Sequence, residues 1–172
     1  AEGPTLYALY ALMFLVGISI GSDKKALQAL KQQNLKIILV PLATIIGTLI
    51  GSALISFALS DRSITDCLAV GSGFGYYSLS SIFITQYKGA ELGTIALVSN
   101  ITRELIALLA APLLVRYFGK LAPISAGGAT TADTTLPIIT KFCGKEFVII
   151  SIVHGITVDL SVPFLVTFFC TI

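Results

Sequence analysis

The sequence predicts an all-α integral membrane protein: four transmembrane helices and two glycine-broken re-entrant helical hairpins, arranged as an inverted repeat. Three observations carry that expectation. Hydrophobic residues fill 55% of the 172 positions and charged residues 12%, about half the charged share of soluble domains, and the mean hydropathy is +0.93. Charge-free runs long enough to span a bilayer recur along the chain. A shift of 55 residues lays positions 73–105 on 128–160 without a gap, and ten of the 33 aligned positions are identical: Gly73, Ile84, Thr85, Gly89, Glu91, Ile95, Val98, Ile101, Thr102 and Leu105. Self-similarity at a fixed offset marks an internal repeat.

Thr5 to Ser22 is an 18-residue run without a charge, entered after Pro4, which a helix start tolerates, and is read as the first span. Asp23 to Lys36 is polar, with Lys24, Lys25, Lys31 and Lys36 against a single acid, as in a cytoplasmic loop. The N-terminus is therefore expected outside. Ile37 to Ser60 is the second span, 24 residues without a charge, with Gly47, Gly51, Ser52 and Ala53 as a close-packing face. These spans (1–60) precede the two repeats (61–118 and 119–172) in a single membrane transport domain.

Cys67 to Tyr87 is also charge-free but contains GSGFG, with Gly71, Gly73 and Gly75, followed by YYSLSS. Three glycines in five residues oppose a continuous helix, so two half-helices are expected to meet at an unwound turn, which membrane depth tolerates where the turn lines a cavity. Leu92 to Arg116 is read as the third span. Leu121 to Phe142 repeats the broken plan with Gly127 and Gly128, then TTADTT and Pro137; Asp133 to Thr135 are expected to open its second half-helix. Glu146 to Ile172 supplies the last span. With both broken elements as hairpins, Lys24, Lys25, Lys31, Lys36, Arg116, Lys120, Lys141 and Lys145 lie inside, only Arg62 and Lys88 outside, and both termini outside; two crossings fit the positive-inside rule less well. One hairpin plus one span is an odd number of crossings, so the second repeat is expected upside down.

Near the middle of the third span stand Asn100, Arg103 and Glu104, on one helix face by their spacing. An ionisable group at that depth costs several kcal/mol unless it meets a partner or a water-filled cavity. Under the 55-residue shift Glu104 meets Asp159, Ser78 meets Asp133 and Ser80 meets Thr135. Glu104, Asp133 and Asp159 are the candidates for coupling protons to substrate. Asn100, Arg103, Ser78, Ser80, Gly73, Gly75, Gly128, Thr131, Thr134 and His154 are candidates for substrate binding, because half-helix N-termini, open carbonyls and carboxylates together suit an ionic or zwitterionic ligand. The plainer alternative is an Arg103–Glu104 pair that only glues helices together.

The formal net charge is +2 with no basic block, so nucleic acid is not an expected partner. Cys67, Cys143 and Cys170 are odd in number and far apart, and His154 is the single histidine; they are read as free thiols and a packing or pathway residue, with no metal and no cofactor. An intramembrane hydrolase built on a serine of YYSLSS and His154 lacks a nucleophile elbow, so the chain is not expected to be an enzyme. A channel remains the rival to a transporter.

The runs SGFGYYSLSSI (Ser72 to Ile82), NITRELIALL (Asn100 to Leu109), GGATTADTTLPI (Gly127 to Ile138) and IVHG (Ile152 to Gly155) resemble the bacterial lysine exporter family of LysO type, and the likeness extends from FLVGISIG (Phe14 to Gly21) to the C-terminus. The resemblance implies a bacterial inner-membrane secondary transporter that exports L-lysine and its toxic analogue thialysine in exchange for protons. It also implies Glu104 and Asp133 as the family's intramembrane acids. Family members carry a preceding block of membrane helices, so a missing N-terminal half on a separate chain, or a homo-oligomer, is the expected partner, and one alternative is a half-subunit that does not transport alone.

Overall fold

The computed structural model describes residues 35–172 together with Ala11, Phe14 and Ile18. The span expected at Thr5 to Ser22 and most of the lysine-rich loop after it lie outside the described residues. Among the described residues the architecture is all-helical. A 3-10 turn (Leu35–Ile38) leads into α1 (Leu39–Ser56); α2 (Ile64–Gly71) and α3 (Tyr77–Lys88) flank the first break; α4 (Ala90–Leu109) and α5 (Ala111–Phe118) follow. Then α6 (Ala122–Gly127) runs into a 3-10 segment (Gly128–Ala132), the second break, before α7 (Leu136–Cys143) and α8 (Val148–Thr171).

Among the described residues three helices are long and apolar enough to cross a membrane: Leu39–Ser56, Ala90–Leu109 and Lys145–Thr171. Their outward faces are apolar where a soluble helix would be polar, with Leu39, Ile46, Ile50 and Leu54 of α1 all more than half exposed, as suits a hydrocarbon surround. Two boundaries differ from expectation. The run Leu92 to Arg116 is not one helix: the chain bends at Ala110 (φ −93°, ψ 2°) and restarts as α5 with Pro112 in its first turn. Proline has no N–H to continue α4 and is accommodated only where a helix begins. The second span stops at Ser56, after which Phe57, Ala58 and Leu59 close successive turns onto Leu54, Ile55 and Ser56.

Each broken element doubles back. Lys88, the last residue of α3, lies 3.4 Å from Asp66 in the first turn of α2, and Arg62 pairs with Glu91. In the second element Lys120 lies 3.0 Å from Glu146. Helices rising about 1.5 Å per residue could not bring these ends together if they ran straight through. Glu91 and Glu146 are counterparts under the 55-residue shift, as are Gly89 and Gly144, which end α3 and α7 at φ 94° and 109°, where a side chain would be strained.

Several local choices build the first element. Ser63 caps α2, its Oγ accepting from Asp66 N at 3.1 Å, a cap worth about 1 kcal/mol. Then α3 packs along α4, and Gly93 lets the two backbones approach, since a Cβ there would overlap the Thr85 side chain. Close packing of this kind replaces the hydrophobic effect between helices in lipid. The main core joins Phe74, Leu79, Phe83 and Ile84 of the first element to Leu92 and Ala96 of α4 and Val158, Val162 and Val166 of α8; a smaller cluster centres on Ile124, Ile139 and Cys143. Cys67, Cys143 and Cys170 are buried free thiols.

Candidate functional site

The site begins with two interruptions of helix that touch each other. In the first, Phe74 and Gly75 both have positive φ (46° and 93°), which turns their amides and carbonyls out of the helical ladder. Asn100, 3% exposed, braces this turn. Its Oδ1 accepts from Gly75 N at 2.8 Å, and its Nδ2 donates to Val70 O at 3.1 Å and to Ala96 O at 2.9 Å. Gly73 lies directly beneath this amide: a Cβ there would sit 2.5 Å from Asn100 Nδ2 and 2.7 Å from Ser80 Oγ. Ser80, fully buried, donates to Tyr76 O at 2.8 Å.

In the second break Gly128 takes φ 63° and ψ −127°, and Ala129 N donates to Phe74 O at 2.9 Å, so the two breaks share a backbone bond. α8 holds this segment directly, α1 meets α8 behind it, and α4 holds the end of α6 before it. From α8, Ser151 Oγ donates to Thr131 O at 2.7 Å, and His154 Nδ1 stands 3.0 Å from Thr131 Oγ1. From α1, Thr44 Oγ1 lies 2.9 Å from His154 Nε2. From α4, Arg103 donates through Nε to Ala126 O at 2.9 Å, through Nη2 to Ser125 O at 3.0 Å and through Nη1 to Thr48 Oγ1 at 3.3 Å.

Between the breaks, α4 and α8 lies a cavity of about 280 Å³. Its walls are Gly75, Tyr76, Tyr77 and Ser78 from the first break, Thr130, Asp133 and Thr134 from the second, Glu104 from α4, and Gly155, Ile156 and Asp159 from α8. The counterpart pairs Ser78/Asp133 and Glu104/Asp159 thus all face one space. Among the described residues none of the three carboxylates forms an ion pair. Pro163 has no N–H to offer the Asp159 carbonyl one turn back, so α8 lacks one backbone bond beside the cavity. Three unpaired carboxylates beside hydroxyl and backbone dipoles can hold a primary ammonium or exchange it for protons.

Of the residues expected at the site, Glu104, Asp133, Asp159, Ser78, Gly75 and Thr134 line this cavity, whereas Asn100, Arg103, Ser80, Gly73, Gly128, Thr131 and His154 form the scaffold behind it. Arg103 does not pair with Glu104; these neighbours face different cavities, Arg103 lining a second, mainly apolar one of about 370 Å³ between α1, α2 and α4. Asp133 to Thr135 lead into α7, with Thr135 at its N-cap position, but Thr135 makes no side-chain cap and instead donates to Thr130 O at 3.1 Å. Pro137 in the first turn lacks the donor that such a cap would satisfy at that position. Sequence reasoning missed Thr44 and Thr48, whose signal was their i, i+4 spacing in a charge-free span, and Tyr76 and Tyr77.

The family model described as Lysine exporter LysO matches residues 2–170. The chain is 37% identical over 163 residues to the Escherichia coli (strain K12) protein "Lysine exporter LysO", an alignment covering 95% of this chain and 54% of that protein. It is 37% identical over 168 residues to the Haemophilus influenzae (strain Rd) protein "Putative lysine exporter", covering 98% of this chain and 85% of that one. It therefore spans about half the length of the Escherichia coli relative. No solved structure matches the chain. A family match along almost the whole sequence joins a doubled, twice-broken helical fold that closes on three acids: the chain belongs to the lysine exporter LysO family.

Proposed function

We propose that this chain forms the substrate-binding and proton-coupling core of a secondary transporter that exports L-lysine, and analogues such as thialysine, across the bacterial inner membrane by proton antiport. The observation that carries the reading is the convergence of Glu104, Asp133 and Asp159 on one cavity between two helix breaks. In this scheme the side-chain ammonium of lysine pairs with one carboxylate, and its own carboxylate lies near the open amides of a break. On the outer face an incoming proton neutralises the acid and frees the ammonium, so each export step consumes the inward proton gradient. Flux in both directions is then obligatorily coupled, unlike that of a channel.

The ion pairs that close the two broken elements support their reading as re-entrant hairpins: Asp66–Lys88 and Arg62–Glu91 at the base of the first, Lys120–Glu146 at the base of the second. With Thr5 to Ser22 as a fourth span, the two repeats are inverted and both termini are outside. The aligned region makes up 54% of the Escherichia coli relative, so the proposed transporter includes further membrane helices, on the same polypeptide or another, or a second copy of this chain. Labelled L-lysine uptake into inverted membrane vesicles tests the whole scheme, with this chain alone and co-expressed with a candidate N-terminal half. Saturable uptake driven by the pH gradient is expected in at least one arrangement. No uptake in either would refute lysine export by this chain.

A further inference from the structure

We propose that Arg103 is a positioning residue that holds the two breaks in register around the acidic cavity, and that it is not a ligand for the transported molecule. The inference rests on the exporter reading and deepens it.

Three of the five N–H groups of Arg103 are committed, to Ser125 O, Ala126 O and Thr48 Oγ1. The two carbonyls are consecutive groups in the last turn of α6, where a helix leaves carbonyls without intrahelical partners and carries partial negative charge. A planar guanidinium spans two such acceptors at once, which a lysine ammonium on a flexible stem does not. Asn100, one turn earlier, binds both sides of the first break at Val70 and Gly75. One turn of α4 therefore grips both breaks and carries Glu104 into the cavity between them. Arg103 lines the second cavity, not the one that holds the three acids, and its guanidinium lies 5.8 Å from the centroid of the Phe74 ring.

The grip is one-sided. Under the 55-residue shift Arg103 corresponds to Val158 and Asn100 to Gly155, so α8 has no equivalent reach into the first repeat. Of the two breaks, its own anchors Ser151 and His154 hold only the second. Removing Arg103 takes away the side-chain bonds between α4 and the end of α6, and with them one constraint on the spacing of Glu104 and Asp133.

The test uses the full chain with spin labels at Thr102 on α4 and Leu121 before α6, both exposed, and compares binding of L-lysine with that of L-lysine amide, which has no carboxylate. Arg103→Gln and Arg103→Lys are expected to broaden the label-to-label distance distribution and to lower maximal export about tenfold. The ratio of lysine to lysine-amide affinity stays within about twofold, because no substrate contact is lost. Thr48→Val, which removes a neutral partner only, broadens the distribution less and serves as the reading if the Arg103 variants do not accumulate in the membrane. Selective loss of lysine affinity with amide affinity retained would make Arg103 a carboxylate ligand and overturn the proposal. So would an unchanged distance distribution in Arg103→Gln or, where that protein does not accumulate, in Thr48→Val. If the unmodified chain binds neither compound, the exporter reading fails, and the distance distribution alone decides the role of Arg103.

Discussion

Replacing Gly128 with alanine puts the contact between the two breaks to a direct test. At φ 63° and ψ −127° an L side chain is held in a sparsely populated region at a cost of about 1–3 kcal/mol. The new Cβ would overlap the Phe74 carbonyl oxygen, and relieving an overpacked contact costs roughly another 1–3 kcal/mol. Separating the breaks would forfeit the Ala129 N to Phe74 O bond, about 0.5–1.5 kcal/mol. Gly128→Ala is therefore expected to lose roughly 2–6 kcal/mol if the chain accepts both strain and overlap, or about 1.5–4.5 kcal/mol if the breaks part. Membrane insertion should persist, because no spanning helix changes. Thermal unfolding in detergent and labelled-lysine export are the measurements: a lowered Tm and export reduced by about tenfold or more are expected. Gly51→Ala is the control, since nothing lies within 4 Å of a Cβ there, and a helical Gly→Ala change stabilises by roughly 0.5–1 kcal/mol. An unchanged Tm and normal export in Gly128→Ala would refute the argument.

Glu104→Gln, Asp133→Asn and Asp159→Asn each keep shape but remove a carboxylate from the cavity, and each should lower pH-driven export about tenfold or more in inverted vesicles; wild-type export by all three would remove the cavity from the transport path. Asn100→Ala leaves the buried Gly75 amide without its acceptor, a cost of about 1–3 kcal/mol, to be read as a lowered Tm; an unaltered Tm means another group supports the break. With both elements re-entrant, a membrane-impermeant thiol reagent should reach Lys88→Cys from outside and Lys120→Cys from inside. Labelling of both from one side would refute the inverted arrangement.

Both breaks were legible in the sequence because their cause is local: several glycines in a few residues weaken a helix whatever surrounds them. The three acids were legible because a carboxylate in apolar sequence needs a compensating environment, and the 55-residue shift added Asp159, which carries no obvious motif of its own. What stayed hidden depends on side-chain direction. Asn100, Arg103 and Glu104 share a helix face, yet Arg103 swings to the end of α6 while Glu104 turns into the cavity, and spacing does not choose between those paths. Thr44 is silent for another reason: its hydroxyl also donates to Val40 O at 3.1 Å in its own helix, as threonines in spans commonly do, so its approach to His154 is visible only in three dimensions. The end of α4 was misjudged because unbroken apolarity continues past Ala110, where Pro112 had already removed the donor needed to continue the helix.

Phe74 and Ala129 occupy equivalent places in the two repeats and meet backbone to backbone. One presents a completely buried aromatic ring and the other a single methyl. Two phenylalanines would overfill this junction and two alanines would leave it hollow, so the repeats fit as unlike halves. Asn100 and Gly155 divide in the same way: the glycine admits the backbone of Ala132, which a side chain would strike. The two halves are thus complementary where they meet: bulk on one side is matched by room on the other, and each copy supplies what its counterpart lacks.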